Sequence, residues 1–406
     1  MKYDALVIGG GPGGSTAALL LARAGWSVAV LERASFPRRK VCGEYVSATN
    51  LPLFRLLGVE NAFRELSGPP VRKVGLYAGK TILVSKMPNP RNGDFGRALG
   101  RENLDMMLLS EAARAGAIVW QPWSAVQLQK ETDGYVCKAV QQETRETKEF
   151  RTRIVIAAHG SWERGRLPTQ PDRRPPRASD LFGFKAHFTE SDLPIGLMPL
   201  LVFRGGYGGM VHTDCGRVSL SCCIRRGQLD QLRREKAGAP AAEAVLFHIE
   251  RSCLGVSRAI RNAMLNGPWL SAGPIRPGIR VRPAGRMFLV GNAAGEAHPI
   301  IAEGISMAAQ AARLLCERLI ANEKEVLSGS AIDETARSYA IDWRKNFAGR
   351  VRAASFFARL AMLPTATTAV LPLFRLFPKL LTIGAHVSGK VNQIEGGPLP
   401  IGSSSA

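Results

Sequence analysis

A cluster of charged and reactive side chains lies between residues 36 and 47, where the sequence reads FPRRKVCGEYVS. Arg38, Arg39 and Lys40 are consecutive cations, and Cys42 and Glu44 follow them on either side of a glycine. Cations in this number suit phosphate binding, a thiol beside cations becomes more reactive, and a carboxyl group can donate a proton. The alternative is a solvated basic turn beside an inert thiol, and the neighbouring segments decide between the two.

The segment before this cluster predicts a strand, a glycine-rich turn, a helix and a second strand, in the sequence YDALVIGGGPGGSTAALLLARAGWSVAVLER. Gly9, Gly11 and Gly14 satisfy the spacing GxGxxG. The first glycine permits a tight turn, the second lets a diphosphate approach the backbone, and the third lets the helix pack closely. The second strand ends at Glu32, which can accept both ribose hydroxyls of an adenosine, and Arg33 follows it. The pattern predicts a dinucleotide site made by these five residues.

A second strand, turn and helix lie between residues 285 and 315, in GRMFLVGNAAGEAHPIIAEGISMAAQAARLL. This stretch resembles the strand–GDAAG–helix pattern of FAD-dependent oxidoreductases of the geranylgeranyl reductase and aromatic hydroxylase (FAD-dependent monooxygenase) superfamily. There the Asp binds the ribityl chain, and the helix points its N-terminus at the flavin. The resemblance implies an FAD site that includes Gly291, Asn292, Pro299, Gly304 and Ile305. Asn292 stands where Asp is usual, so it keeps an acceptor oxygen and loses the charge.

The basic cluster also resembles this superfamily, in its stretch FPRxKxCG. The resemblance implies that Arg38 and Lys40 approach the phosphate and ribityl region of FAD and that Cys42 lies alongside the isoalloxazine ring. Cys42 and Glu44 are therefore the candidate catalytic residues, as a reactive thiol and a proton donor. A third stretch, 96–119, resembles the superfamily's R-x-x-L-D-x-x-L helix, whose leading side chain contacts FAD; here that residue is Arg101. The alternative for this stretch is a capped surface helix.

Three departures from the superfamily pattern bear on the reaction. The strand RIVIAAHG ends in His159 and Gly160 where hydroxylases have an Asp-Gly pair, which counts against direct reduction by NAD(P)H and makes His159 a packed or surface residue. Residues 207–223 lack the aromatic YxWxFP segment of the reductases. Ala302 stands where glycine is frequent. We also find no WxWxIP motif with a catalytic lysine, which flavin halogenases carry.

Composition limits the classes of partner. The chain has 406 residues, 46% of them hydrophobic, and a formal net charge of +21. That charge favours anionic partners, such as a phosphate-bearing cofactor or an anionic membrane surface, or reflects a basic host proteome. We expect no specific nucleic-acid partner, because helix-turn-helix, zinc and RNP patterns are missing. The seven cysteines show no metal-ligand spacing, so we expect no metal site and a reducing compartment.

The expected location is cytoplasmic, with peripheral contact to the inner membrane surface as an open alternative. The first strand begins almost at once, which leaves no room for a signal peptide. No run of eighteen apolar residues appears, so no spanning helix is expected.

The predicted fold is α/β, with a Rossmann-like FAD-binding domain of the glutathione reductase type, an inserted β-sheet substrate domain and a helical C-terminal region. The apolar and basic C-terminal region fits a membrane surface, a lid over a lipophilic pocket, or a core-facing helix pair. The predicted boundaries are 1–59, 99–180 and 276–330 for the FAD-binding domain, 60–98 and 181–275 for the substrate domain, 331–394 for the C-terminal region and 395–406 for a flexible tail.

The predicted function is that of an FAD-dependent oxidoreductase with an apolar substrate, which is lipid-like, polyketide-derived or aromatic. As a monooxygenase it would deliver oxygen from a flavin C4a-hydroperoxide, and the missing YxWxFP segment favours this reading. As a geranylgeranyl reductase-like enzyme it would transfer hydride from flavin N5 to an isoprenoid double bond. The electrons would come from NAD(P)H or from a separate reductase. A flavin-binding protein without turnover is the alternative from another class.

Overall fold

The structure is a computed structural model that describes residues 2–89, 93–161, 165–170, 175–236 and 238–388. The predicted tail 395–406 and residues 389–394 of the predicted C-terminal region lie outside these ranges. The strands are β1 Lys2–Ile8, β2 Val28–Leu31, β3 Tyr45–Val46, β4 Lys73–Ala78, β5 Thr81–Lys86, β6 Arg97–Ala98, β7 Ile118–Trp120, β8 Trp123–Glu131, β9 Gly134–Gln141, β10 Thr147–Ala157, β11 Leu181–Thr189, β12 Leu197–Phe203, β13 Gly206–His212, β14 Val218–Arg225, β15 Met264–Leu265, β16 Leu270–Ile275, β17 Gly278–Ile279, β18 Met287–Leu289 and β19 Gly295–Glu296.

Twelve α-helices are found within the described ranges, with short 3₁₀ turns at Ala48–Asn50, Asp214–Gly216, Gly291–Ala293 and Pro299–Ile301. The helices are α1 Pro12–Arg23, α2 Leu51–Leu56, α3 Glu60–Leu66, α4 Arg101–Arg114, α5 Arg226–Glu235, α6 Ala241–Ser252, α7 Leu254–Ala259, α8 Gly304–Ala321, α9 Glu323–Ser328, α10 Ile332–Ala361, α11 Pro364–Leu376 and α12 Lys379–Val387.

The first sheet has seven strands in the order β7-β2-β1-β10-β9-β8, with β18 also paired to β10. The pairs β1–β2, β1–β10, β2–β7 and β10–β18 are parallel, whereas β9 pairs antiparallel with both β10 and β8. Leu6 and Val7 of β1 are fully buried although they point to opposite faces, as expected for a parallel strand covered on both sides. Helices α1, α4 and α8 cover one face and form the largest core with it.

The turn from β1 to α1 requires glycine at its first and third fingerprint positions. Gly9 has a φ of +110°, and a Cβ atom there would lie 2.6 Å from the carbonyl oxygen of Ala158. A Cβ atom on Gly14 would lie 1.9 Å from the carbonyl oxygen of Gly9. The spacing read from the sequence therefore has a steric cause, because any side chain at either position would push the helix off the strand.

The second sheet has eight strands in the order β15-β11-β14-β13-β12-β4-β5, with β16 paired to β11. Helices α5, α6 and α7 pack on one face, where Phe184, Leu220 and Ile249 share a core. The opposite face carries Leu76, Val202 and Tyr207 among other residues, and it is turned toward the segment after β2 and toward the C-terminal helices.

The C-terminal helices join the two sheets. Trp343 and Phe347 of α10 are buried in the core of the first sheet, whereas Ala358 of the same helix packs near Leu181 and Tyr207 of the second. Helices α11 and α12 continue over strands β4 and β5. Within the part of the chain that is described, no single helix is long and apolar enough to cross a membrane. The segments Thr368–Leu376 and Lys379–Val387, which are bent relative to each other, reach the necessary length and hydrophobicity only when taken together.

The predicted fold class is confirmed. The molecule is α/β, with a domain built on a mainly parallel sheet and a glycine-rich turn, a second β-sheet and a helical C-terminal region. The domain boundaries given above stay a prediction, because sheet membership does not fix where a domain begins or ends.

Candidate functional site

A cleft opens at the carboxyl ends of the parallel strands β1, β2 and β10. Its walls include Gly9, Gly11, Glu32, Arg33, Arg38, Lys40 and His159. Helix α1 begins at this cleft with Gly11 as its N-cap, and no side chain caps its first turn. Backbone N–H groups at such a helix start attract a phosphate, and ligands of open α/β sheets bind outside the carboxyl ends of the strands.

Glu32 is fixed at the rim of the cleft by backbone donors. The N–H of Gly10 donates to its Oε2 at 2.8 Å, and the N–H of Ala34 donates to its Oε1 at 3.0 Å. The side chain of Arg38 lies 3.5 Å away. The carboxylate is therefore held in place at the end of β2, which is the position from which it would accept ribose hydroxyls. Arg33 is exposed beside it.

Cations concentrate on the other wall of the cleft. Arg101 begins α4 and donates two hydrogen bonds of 2.7 Å to Asp105, both residues being buried, and Arg38 lies 3.5 Å from the same carboxylate. Burial, and then the charges of Arg101 and Arg38, lower the pKa of Lys40 to about 8. Three cations that repel one another lie around two carboxylates, those of Asp105 and Glu32, and the excess of positive charge fits an anionic ligand. The buried Nε of Arg38 lies 3.5 Å from Oε1 of Glu32 without a hydrogen bond to it, which also fits such a ligand.

The second glycine turn lies against the first. A Cβ atom on Gly13 would lie 3.5 Å from the backbone nitrogen of Gly291 and 3.2 Å from the carbonyl oxygen of Ala308 in α8. The two predicted fingerprints are 280 residues apart in sequence and meet in space. Helix starts, glycine turns, cations and a ribose-binding carboxylate together fit FAD, and residues of both turns would hold it.

Asn292 has a partner that explains the missing carboxylate. Its side-chain Nδ2 donates to Oε1 of Glu296 at 3.1 Å, and its backbone carbonyl oxygen accepts from Nη1 of Arg280 at 3.0 Å. Glu296 is buried, and burial raises its pKa although Ser161 donates to it at 2.7 Å. An aspartate at position 292 would place a second carboxylate against Glu296, and the two would repel each other, whereas the asparagine amide donates a hydrogen bond to Glu296.

Pro299, Gly304 and Ile305 lie at the approach to α8 and in its first turn. Pro299 begins a 3₁₀ turn, Ala302 follows it with a φ of +53°, and Gly304 is the first residue of α8. Since the left-handed region strains an alanine, this φ explains why a glycine is frequent at position 302. Ile305 is buried in the core of the first sheet.

Glu44 lies at the centre of a buried charged cluster that the sequence did not indicate. One carboxylate oxygen accepts from Lys185 Nζ and, at 3.2 Å, from the backbone of Arg101; the other accepts from His187 Nε2 at 2.8 Å. Arg39 donates to His187 Nδ1 at 2.8 Å, and since an arginine can only donate, the imidazole hydrogen belongs on Nε2. The side chains of Glu44, Lys185 and His187 are fully buried.

The role of Glu44 as a proton donor needs correction. Burial alone would raise the pKa of this carboxyl group, but the hydrogen bond from His187 and the charge of Lys185 more than reverse the effect and lower it to about 2. The group is therefore a carboxylate at neutral pH with no proton to give. Glu44 also has a φ of +62°, in the region that strains a non-glycine residue, so the ion pair holds the segment in this shape.

Lys185 and His187 are the residues that sequence reasoning missed. Both lie on β11, two positions apart, and so point to the same face of the second sheet. The signal was present in FGFKAHF, where a lysine and a histidine interrupt an apolar strand at the spacing of one face. The partner, Glu44, could not be identified from that pattern because it lies 141 residues earlier.

Cys42 and His159 stay close to the cleft. The thiol of Cys42 is partly buried, accepts the N–H of Glu44 at 3.4 Å and lies beside the guanidinium group of Arg101. Nδ1 of His159 lies 3.0 Å from the carbonyl oxygen of Gly160, and its Nε2 lies 2.9 Å from Thr169 Oγ1. Burial lowers the pKa of His159 to about 4, so it is neutral at physiological pH. It is a packed residue on the wall of the cleft.

An apolar region adjoins this cleft on the side of the second sheet. Tyr45, Val74 and Val211 are buried together there, with Met198, Ala302 and Leu381 packed against them. A neighbouring group contains Leu76, Ala78 and Val202, covered by residues of α10, α11 and α12. The region joins the Cys42–Ser47 segment, the start of α8 and the C-terminal helices, so an apolar molecule bound in it would lie beside the predicted flavin site.

Comparison with known proteins identifies the cofactor domain. Residues 2–186 match the FAD binding domain family. The chain is 34% identical over 161 residues to the digeranylgeranylglycerophospholipid reductase of Thermoplasma acidophilum, an alignment that covers 39% of each protein. It is 24% identical over 409 residues to the menaquinone reductase of Mycolicibacterium smegmatis, covering 96% of this chain and 92% of that protein. The alignment with the Thermoplasma reductase spans 39% of that protein's own length, and the alignment with one further curated relative spans 65%.

A similar solved structure is that of the myxobacterial chondrochloren halogenase CndH, with a TM-score of 0.73 at 20% identity, covering 95% of this chain and 92% of that one. At this identity the likeness concerns the fold. Residues 2–186 are therefore similar to an FAD binding domain, and the first glycine turn, Glu32 and Arg38 lie within them.

Proposed function

We propose that this chain is an FAD-dependent oxidoreductase whose substrate is an apolar molecule bound between the second sheet and the C-terminal helices. The apolar region next to the start of α8 supports this choice of substrate, since Val74, Leu76 and Val202 are buried there and side chains of α11 and α12 pack against the same region. A lipid-like, polyketide-derived or aromatic compound would gain by leaving water for such a region.

FAD, when bound, supplies the transfer of electrons between the donor and the substrate. The protein's own residues bind and orient it. The backbone at the start of α1 would hold the diphosphate, Glu32 would hold the ribose, and Arg38, Lys40 and Arg101 would balance the phosphate charge. The C-terminal helices exclude water from the apolar region, which protects reactive species from side reactions.

The surrounding of Glu44 favours oxygenation over reduction of a double bond. Reduction of a carbon–carbon double bond requires an acid that protonates the second carbon, and Glu44 was the predicted carboxylic acid. Its pKa of about 2 and its ion pair with Lys185 remove it from that role. Oxygenation of an apolar substrate asks mainly for exclusion of water, which the C-terminal helices would supply. The buried contacts of Glu44 with Lys185 and His187, which leave it no proton to donate, carry the proposal.

Reduction is the second candidate, and one contact favours it. The hydroxyl of Tyr207 lies 3.2 Å from Nδ1 of His298, in the loop before α8. Burial raises the pKa of Tyr207 well above its usual value and lowers the pKa of His298 to about 4, so the tyrosine keeps its proton. Tyr207 is therefore a protonated group that a reductase could use as its acid, although the raised pKa makes it a weak one. The similarity to a digeranylgeranylglycerophospholipid reductase and to a menaquinone reductase also supports this candidate.

The electron donor is a separate question. We propose NAD(P)H as the first donor to test, with a partner reductase as the alternative, because His159 occupies the place where a carboxylate is usual. Loss of the flavin absorbance under anaerobic NADPH supports the first donor. Unchanged absorbance, together with bleaching by dithionite, supports the partner.

The experiment that separates the candidates follows the atoms of the product. Reduced holoprotein is incubated with an isoprenoid quinone or a polyprenyl lipid under ¹⁸O₂, and the product is analysed by mass spectrometry. Oxygenation adds one labelled oxygen atom, and Tyr207→Phe leaves the rate within about twofold. Addition of two hydrogen atoms without oxygen overturns oxygenation; in that case Tyr207→Phe lowers the rate by about 10²-fold or more. The buried Tyr135→Phe, on β9 of the other sheet, is the matched control.

A further inference from the structure

The outer side of the last two helices is apolar and exposed. The side chain of Leu376 is 74% exposed and that of Phe377 is 59% exposed, so most of their apolar surface faces outward. We call this the C-terminal apolar surface; it consists of Val370, Leu373, Leu376, Phe377, Ile383 and Val387. Phe356 and Phe357, at the end of α10, are exposed nearby in sequence. Val370, Leu373 and Leu376 are three residues apart on α11 and so share one face of that helix, and an exposed apolar face of this kind marks contact with another molecule or a membrane.

The same helices are anchored to the protein on their inner side. Leu371, Phe374 and Leu381 pack against the group formed by Leu76, Ala78 and Val202. Thr382 donates to the carbonyl oxygen of Lys86 at 2.7 Å, and Arg375 donates to Thr81. The helices thus carry apolar side chains on the side that the protein covers and also on the exposed side.

Charge around this surface identifies the kind of partner. From residue 343 to residue 388 the sequence contains no Asp or Glu. It contains seven basic residues there, namely Arg344, Lys345, Arg350, Arg352, Arg359, Arg375 and Lys379. Of these, all except Arg350 are exposed. Exposed cations interleaved with exposed Leu and Phe complement an anionic lipid surface, because the cations meet the headgroups and the apolar side chains enter the acyl boundary.

The geometry fits a helix pair that lies in the interface. The two apolar segments Thr368–Leu376 and Lys379–Val387 are bent by 110° relative to each other. Each contains nine residues and is about 14 Å long, roughly half the thickness of the hydrocarbon core. Both are tied to β4 and β5 by their inner sides, so they cannot extend into one span without leaving the sheet.

We propose that the C-terminal apolar surface docks this protein on an anionic lipid bilayer, with α11 and α12 lying in the plane of the membrane. The flanking cations bind the lipid headgroups, and Leu376 and Phe377, at the bend, enter deepest. The inference stands apart from the proposed reaction, because it concerns binding and needs no turnover.

The test measures cosedimentation of the FAD-loaded full chain with vesicles. One set contains phosphatidylcholine alone, and the other contains an added fraction of phosphatidylglycerol. Leu376→Glu/Phe377→Glu should weaken binding to the anionic vesicles by at least about 100-fold. Ile195→Glu/Ile341→Glu is the matched control, because these side chains are 75% and 64% exposed and lie elsewhere; it should bind as the unmodified protein does.

A second pair of variants tests the charges. Arg352→Gln/Lys379→Gln should weaken binding to anionic vesicles by about 30-fold, equivalent to about 1 kcal/mol for each cation. Arg233→Gln/Arg234→Gln removes the same charge from the exposed end of α5 and should change binding by less than about twofold. Circular dichroism and FAD content verify that every variant is folded.

Three results would overturn the inference. The first is undiminished binding of the Leu376→Glu/Phe377→Glu protein. The second is equal binding of the unmodified protein to neutral and anionic vesicles. The third is failure to bind vesicles together with self-association in analytical ultracentrifugation that the Leu376→Glu/Phe377→Glu change abolishes, which would assign the surface to a second copy of this chain.

Discussion

Replacing Lys185 by methionine should destabilise the protein by about 3–5 kcal/mol, although Lys185 contacts neither glycine turn. The change leaves the carboxylate of Glu44 buried without its cation, and breaking a buried ion pair in this way costs about 3–5 kcal/mol. The lowered pKa of Glu44 agrees with this in direction, because the hydrogen bond from His187 and the charge of Lys185 together more than reverse the effect of burial.

The assay is denaturant-induced unfolding of the FAD-loaded protein, followed by tryptophan fluorescence. Glu44→Gln combined with Lys185→Met should recover most of the loss, because it removes the unpaired charge as well as its partner. Lys80→Met, at an exposed lysine on the same sheet, should change stability by less than about 0.5 kcal/mol. If the Lys185→Met protein does not accumulate, the double variant provides the comparison, since it should still fold.

The same ion pair predicts a dependence on pH. The pKa of Glu44 is lowered in the folded protein, so its contribution to stability is complete above about pH 4.5 and disappears as the pH falls toward 2. The stability difference between the unmodified protein and Glu44→Gln should shrink over that window. The reasoning is refuted if Lys185→Met costs less than about 1 kcal/mol, or if the double variant is no more stable than Lys185→Met alone.

Two further predictions concern the cofactor site. Gly14→Ala should abolish copurification of the yellow cofactor, because the new Cβ would lie 1.9 Å from the carbonyl oxygen of Gly9. The control is Gly349→Ala, whose Cβ meets nothing within 4 Å and which should leave the flavin absorbance unchanged. A yellow Gly14→Ala protein would contradict the assignment of the turn. Asn292→Asp should lower the thermal unfolding midpoint by bringing a carboxylate to Glu296, at a cost of about 1 kcal/mol or more. Adding Glu296→Gln should restore the midpoint, and failure to do so would show that the two side chains do not interact.

The sequence predicted those parts of the site that depend on local backbone sterics. Gly9 and Gly14 are required by distances inside one turn, so their spacing alone identifies the structure. The meeting of that turn with Gly291 followed from resemblance, since no local pattern joins segments so far apart. The leading position of Arg101 in its helix was also predictable, but its bidentate pairing with Asp105 in a buried setting depended on how α4 packs.

Long-range pairing limited the rest of the prediction. The protonation of Glu44 depends on Lys185 and His187, which come from a different sheet. The same carboxyl group is an acid in an apolar surrounding and a permanent anion beside a lysine, and the segment FPRRKVCGEYVS does not distinguish the two. Asn292 is a similar case, because the reason for the amide is Glu296 and becomes visible only when both are placed in the fold.

Helix α10 has a mechanical consequence. It is thirty residues long, about 45 Å, and its beginning is seated beside the first sheet while its end is seated on the second. A hinge motion between the sheets would have to bend this helix or remove the side chains of Trp343 and Phe347 from the core of the first sheet. Helix α10 therefore opposes a change in the angle between the two sheets.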